Sequence, residues 1–482
     1  MKLKIEDIFL SNNIKGISFN SKSIEPGSVF FAMQGENFDG NDYINEALAN
    51  GAAIIFTDNK SKADAERIFF LEDIRSGLAL AAGIKYPEIP ENLIAVTGTN
   101  GKSSVVSYVH QILSILGQTS ACMGTLGIES NVEVPYDITN HGANLTTSDS
   151  VSFRKALFTL NNVGVKNVAF EASSHGLHQK RLGDVKAKTA AFTSFSQDHL
   201  EYHQTMESYL NSKLVLFTDN LCSGGEVVVN SEVMFFDFIK KFLEERKIAY
   251  SIVGKSGDIN VVSNAASIES QEISFNFLGK NYKFRSDIIG SFQATNLLIA
   301  AKLVYNLGVN FDAIVATLPK LVAVSGRLQR VTKPEDDYQV FVDYAHTPDA
   351  LEKSLKELVK LKEESCKLYV VFGCGGNRDA SKRPIMGEIA SLLADVVVIT
   401  DDNPRSEDAA KIRKDILAGA KGAEVIGDRK KAIIDTIHKL NKGDILLIAG
   451  KGHENYQIIG KETIKFSDVE IASDALKNRK MV

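Results

Sequence analysis

A chain of 482 residues exceeds a single ordinary core, and its length suggests roughly three domains. Its hydrophobic share of 44% and charged share of 24% are those of a globular protein, and a net charge of −5 argues against general affinity for nucleic acid or anionic membrane. No signal-peptide run or membrane-length apolar stretch is read, and Cys122, Cys222, Cys366 and Cys374 are scattered with no Cys-x-x-Cys pair, so a reducing cytoplasm is expected.

In chain order, residues 1–86 read as short strands ("SVFFAM", "AAIIFTD") and a helix "NDYINEALANG" closed by Gly51. "KYPEIPENL" suits a linker. Residues 87–326 open with the strand "NLIAVT". The runs "KNVAFEAS", "TAAFTSFS" and "EVVVN" then alternate with helical patterns, which predicts a mostly parallel α/β sheet. β-ribbons follow, with a turn at Gly279-Lys280, and then the helix "SFQATNLLIAAKLVYNLG". Residues 327–482 read as a third α/β unit with strands "KLYVVFG", "DVVVIT", "AEVIG" and "DILLIAG".

Three sets of residues point to chemistry. Gly98-Thr99-Asn100-Gly101-Lys102-Ser103-Ser104 lies between a strand and a helix. There glycines let backbone N–H groups face an anion and the helix N-terminus adds a favourable dipole. Lys102 would reach the β- and γ-phosphates of a nucleotide, and Ser103 would ligate Mg2+. "EASSHGLHQKR" and "SQDHLEYHQTMESYLNSK" each follow a strand, and Glu171 and His199 are candidate Mg2+ partners. Any one of His175, His178, His199 and His203 taken alone is better explained as an ordinary polar or packing residue; their clustering after strands shifts the weight toward a site. In the last unit "GCGGNRD", "DDNPRSED" and "GKGHENYQ" all follow strands. A parallel sheet would place them on one edge, converging Arg378, Asn403, Arg405 and Glu454 on a ligand with carboxylates and an amine.

Together "VTGTNGKSS", "EASSHGLHQKR", "DHLEYH" with Lys213, "SGRLQRV", "DYAHTPDAL", "FGCGGNRD", "KRPIMG", "DDNPR" and "AGKGHENYQ" resemble the Mur ligases over nearly the whole chain. Among them the resemblance is greatest to the branch that adds meso-2,6-diaminopimelate to UDP-N-acetylmuramoyl-L-alanyl-D-glutamate. That family has the short glycine loop without the first Walker glycine, where this chain carries Val96.

The resemblance implies three domains: a small α/β UDP-binding domain (1–86), a central P-loop-type ATPase domain (87–326) and a Rossmann-like amino-acid domain (327–482). It implies an ATP- and Mg2+-dependent, ADP-forming ligase of peptidoglycan precursor synthesis working through an acyl phosphate. The partners implied are small molecules only, with no nucleic acid or membrane, and a monomer is expected. L-Lysine-adding Mur ligases and folylpolyglutamate-type ligases are the alternatives.

By position, the resemblance assigns Gly98 to Ser104, Asn296 and Arg327 to ATP, with Lys102, Lys213 and His199 in catalysis. Ser103, Glu171 and His199 are assigned to the metal, and Lys213 to a carbamylated lysine. Phe19, Ser21, Glu36, Asn37 and Phe38 fall on the UDP end, and Thr146, Thr147, Ser173, Gln179 and Arg181 on the muramoyl dipeptide. Arg378, Asp402, Asn403, Pro404, Arg405, Gly450 and Glu454 fall on diaminopimelate. Ser194, Leu145 and Gln293 depart from the residues usual in the family, and Ala409 and Ala410 stand where a proline usually follows the DNPR arginine.

Overall fold

The apolar runs read as strands are buried on both faces, as parallel strands covered by helices must be. A computed structural model describes residues 2–11, 14–35, 38–64, 66–135 and 145–480. Three main sheets follow one another along the chain. The first is four-stranded and wholly parallel, ordered Ile17–Ser18, Val29–Ala32, Ile54–Thr57, Ile68–Phe70. Phe31 and Phe56 pack at its centre, with ring centroids 5.1 Å apart.

The second sheet has ten strands. Its order runs Lys280–Ser286, Gln271–Phe277, Ile259–Ala266, Ala249–Gly254, Leu221–Asn230, Ala187–Phe192, Asn92–Thr97, Asn167–Glu171, Ser120–Gly124, Gly127–Ser130. Pairing is parallel through the middle and antiparallel at both edges. Helices Lys102–Ile115 and Ser291–Tyr305 cover one face; Ser150–Asn162 and Met206–Asp219 cover the other. Asn92–Thr97 has Ala187–Phe192 on one side and Asn167–Glu171 on the other. The three loops leaving these strands are therefore neighbours at the carboxyl edge, where such sheets bind ligands.

The third sheet runs Gln329–Arg330, Gln339–Asp343, Ile445–Ala449, Leu368–Phe372, Val396–Ile399, Glu424–Val425, parallel except for its first pair. Leu368–Phe372 lies between Ile445–Ala449 and Val396–Ile399, so the three loops expected to converge do so. All four cysteines are free, and no helix among the described residues is long and apolar enough to cross a membrane.

Candidate active site

The loop after Asn92–Thr97 is shaped by two left-handed glycines, Gly98 (φ 141°) and Gly101 (φ 89°). A Cβ on Gly98 would lie 2.1 Å from the Thr193 hydroxyl, so only glycine fits this approach. Ser194 braces the loop: its Oγ accepts from the Asn100 N–H (2.8 Å) and donates to the Asn100 carbonyl (3.0 Å). Lys102 folds over the loop, its Nζ donating to the Gly98 and Thr99 carbonyls (3.0 and 2.8 Å). Loss of solvation lowers its pKa; Glu171 opposes this shift and Arg327 adds to it. Arg327 donates to Ser103 Oγ (2.9 Å) while its guanidinium stacks over Tyr344. Gln293 joins this side, donating to the Arg327 carbonyl and accepting from Asn296 Nδ2 (both 3.2 Å). Arg327, Tyr344, Gln293 and Asn296 border a pocket of about 160 Å3 with Gly101, Ser104, Phe292, Asp343 and Lys353.

Lys213 is 1% exposed, and its Nζ reaches the Gly98 carbonyl at 2.8 Å and lies 4.5 Å from the Tyr209 ring centre. Burial drives its pKa far below the usual lysine value, and Lys102 pushes the same way. Glu171 is 2% exposed, and its carboxylate accepts from the Thr125 N–H (3.0 Å) and hydroxyl (3.2 Å). His199 stands in the left-handed region (φ 54°), its ring between Asp198 (3.4 Å) and Glu201 (3.6 Å) and edge-on to His175 at 4.7 Å. Burial raises the pKa of Asp198. His199, His346, Lys382 and Lys102, all close to it, more than offset this and hold the carboxyl below its usual range. Among the described residues no three His, Cys, Asp or Glu side chains form a metal-holding group by themselves.

A cleft of about 1070 Å3 separates the first sheet from the second. Phe19, Ser21 and Phe38 line one side; Thr146, Ser173, Gln179 and Arg181 line the other. Thr147 is buried behind it, its hydroxyl donating to the Glu171 carbonyl and accepting from the Ser173 N–H. Glu36 and Asn37 lie outside the described residues. Leu145 lines this cleft.

Arg378, Asp402, Asn403, Arg405, Gly450 and Glu454 share a second pocket of about 420 Å3 with Asp198, His199, His346 and Lys382. Arg405 adopts φ 52°, its backbone held by Ile458 and Gly460, and its Nη1 donates to the Gly376 carbonyl at 2.9 Å. Asn403 Nδ2 donates to Glu454 Oε2 at 2.8 Å. His199 and Arg378 line both this pocket and the cleft, and Tyr344 lines both this pocket and the one bordered by Arg327 and Asn296. The three spaces therefore meet.

Family profiles match along the chain: "Mur ligase family, catalytic domain" over residues 13–97, "Mur ligase middle domain" over 96–304, and "Mur ligase, glutamate ligase domain" over 326–452. The chain is 49% identical over 474 residues, 97% of each protein, to the UDP-N-acetylmuramoyl-L-alanyl-D-glutamate–2,6-diaminopimelate ligase of Rickettsia bellii (strain RML369-C). The chain belongs to the Mur ligase family. A protein of the same name in Rickettsia conorii (strain ATCC VR-613 / Malish 7) is 46% identical over 99% of both chains. A solved structure of such a ligase superimposes with a TM-score of 0.68 at 31% identity, covering 97% of this chain and 95% of the other.

Several residues of this Mur ligase escape a reading by motif. Asp198 sits in the quoted "DHL" but was assigned no role. His346 and Lys382 belong to "DYAHTPDAL" and "KRPIMG", whose positions on the pocket follow only from the fold. Lys451, between Gly450 and Glu454 in the same motif, is buried and paired with Glu454. A charged residue inside a glycine loop after a buried strand was the available signal.

Proposed function

We propose that this chain joins meso-2,6-diaminopimelate to UDP-N-acetylmuramoyl-L-alanyl-D-glutamate at the expense of ATP, forming ADP and phosphate. Residues 1–86 hold the UDP end, 87–326 the ATP, and 327–482 the amino acid. The carrying observation is the pocket in which Arg378, Asn403, Arg405 and Glu454 stand together and which opens onto both other spaces.

A carboxylate is a poor electrophile. Transfer of the γ-phosphoryl group to the dipeptide carboxylate supplies a leaving group; the amine then attacks the acyl carbon, phosphate departs and an amide remains. Catalysis is mainly positioning and charge stabilisation. Lys102 and the loop N–H groups hold the phosphates, and Arg327 and Asn296 hold the nucleotide beside them. Arg378 receives the carboxylate next to the reacting amine, while Arg405 and Glu454 receive the distal carboxylate and ammonium.

Ser103, Glu171 and His199 are the side chains that would hold Mg2+. The fit is supported by Glu171, a buried carboxylate with no ion pair among the described residues, which a cation would complete. Mg2+ when bound would neutralise charge on the transferred phosphoryl group. Lys213 suits carbamylation: its depressed pKa favours the neutral amine, the form that adds CO2 and loses a proton to give a carbamate.

The test is phosphate release from ATP by purified protein given the UDP-dipeptide, with meso-diaminopimelate or L-lysine offered separately. Release that requires both the UDP-dipeptide and diaminopimelate is expected. Release indifferent to the UDP-dipeptide would overturn the reading.

A further inference from the structure

Lys451 follows Gly450 on the loop after Ile445–Ala449 and is wholly buried. Its Nζ donates to Asn403 Oδ1 at 3.0 Å and to Glu454 Oε2 at 2.8 Å, and lies 5.6 Å from the Tyr456 ring centre. Asn403 Oδ1 also accepts from the Ile458 N–H at 3.0 Å, so two donors fix the amide and turn its Nδ2 toward Glu454. The three side chains close a triangle behind the wall of the pocket. A buried ammonium persists only where an anion and acceptors match it, and here one carboxylate does so. Glu454 therefore does not present an uncompensated negative charge to the pocket.

The formal charges at this end are Arg405 and Lys451, positive, and Asp402 and Glu454, negative; Arg429, which lies behind Asp402 and Glu454, is neutralised by its own partner Asp468 at 2.7 Å. They cancel. A ligand end carrying a carboxylate and an ammonium on one carbon matches a balanced set whose charges are spread over opposite walls. A ligand ending in a lone ammonium brings positive charge to a site with no net negative charge, and leaves Arg405 without an anion. We infer that Lys451 is a specificity-determining residue, which by neutralising Glu454 from behind makes the pocket select a zwitterionic end over a cationic one. This rests on the proposed reading of the pocket as the amino-acid site. Lys451 need not touch the ligand; it acts through Glu454 and Asn403.

The test compares kcat/KM for meso-diaminopimelate and for L-lysine in the wild type, Lys451→Met, Glu454→Gln and the double variant. Lys451→Met keeps the chain length and leaves the site with net negative charge. It should lower the diaminopimelate-to-lysine ratio by roughly tenfold or more, chiefly by improving L-lysine relative to its competitor. Glu454→Gln leaves net positive charge and should move the ratio the other way; Lys451→Gln, which removes the charge yet can still hydrogen-bond Asn403 and Glu454, should lower the ratio as Lys451→Met does and decides the question should Lys451→Met fail to fold. The double variant, balanced again, should discriminate much as the wild type does, at a lower rate. A merely structural role for Lys451 would lower both substrates alike and leave the ratio unmoved, which overturns the inference while the amino-acid assignment stands. A wild type indifferent between the two substrates would overturn both.

Discussion

Glu357, on helix Pro348–Leu361, caps a helix of the preceding sheet: its Oε2 accepts from the Ser291 N–H at 2.9 Å and its Oε1 from the Ser291 hydroxyl at 2.6 Å. The capped helix, Ser291–Tyr305, has Gly290 at its N-cap position and no side-chain cap of its own. It also carries Phe292, Gln293, Thr295 and Asn296, which line the nucleotide-side pocket. A carboxylate supplied from the third sheet's layer thus satisfies one orphan N–H and complements the helix dipole in the second. Glu357→Ala should cost about 1–3 kcal/mol of stability and raise the KM for ATP. Chemical denaturation together with ATP titration checks this. An unchanged KM would show that the cap does not reach the nucleotide.

Lys102→Ala should remove a cation from the transferring phosphoryl group. The expected loss is on the order of 3 kcal/mol of transition-state stabilisation, read in kcat/KM. Its contacts with the Gly98 and Thr99 carbonyls are local, so the fold should tolerate the change. Product formation at the wild-type rate would remove the phosphate-loop assignment.

Lys213→Ala should be nearly inactive and partly restored by a short carboxylate such as acetate, which can stand in for the carbamate. Wild-type activity should fall when CO2 is stripped from the buffer and return with bicarbonate. An unmodified amine at full occupancy in a crystal with nucleotide and Mg2+ would argue strongly against carbamylation.

Acid should destabilise the protein through its histidines. Burial, followed by neighbouring positive charge, pushes His175 down to about 3 and His203 to about 4, from 6.5. His346, at about 4, and His453, at about 3, are likewise lowered first by burial. Below 6.5 the unfolded chain binds protons that the folded chain refuses, so stability is full above that value and is lost as pH falls toward 4. Calorimetry should show a steady Tm above about pH 7 and a fall of several degrees by about pH 5. His203→Phe should lessen the fall, because it keeps a ring against Tyr209 and removes a buried Nε2 that has no hydrogen-bond partner among the described residues.

Arg405→Ala should weaken meso-diaminopimelate by roughly 2–5 kcal/mol, mostly at binding. Arg405→Lys should restore little, since an ammonium cannot form the planar two-pronged grip. Full recovery by lysine in a binding titration would contradict a bidentate carboxylate contact.

Much of this protein was written locally and so was legible without coordinates. Continuous apolar runs report strands buried on both faces, and they placed the strands around residues 92–97, 167–171, 368–372 and 445–449. The loop Gly98 to Ser104, proposed to hold phosphate, is a single continuous segment whose glycines and lysine announce their own geometry. The ligand loops after strands followed from the rule that parallel sheets collect them on one edge. Missing from that reading were the helix Lys2–Ser11, the buried strand Gln339–Asp343 and the helix Pro348–Leu361.

What only the tertiary structure decided is which charge faces which. Asn100 donates to Asp349 across 249 residues of chain, Glu357 caps Ser291 across 66, and Lys451 lies behind Asn403 across 48. Asp198 gains its neighbours Lys102, His346 and Lys382 from three separate segments of the chain, two of them helix starts. Ser194, visible as a departure from the family, becomes intelligible only as the brace of Asn100. Local patterns record whether a side chain is buried, because burial repeats with the geometry of helix and strand. The partner that makes a buried charge tolerable is chosen by packing between elements, and no local period encodes it.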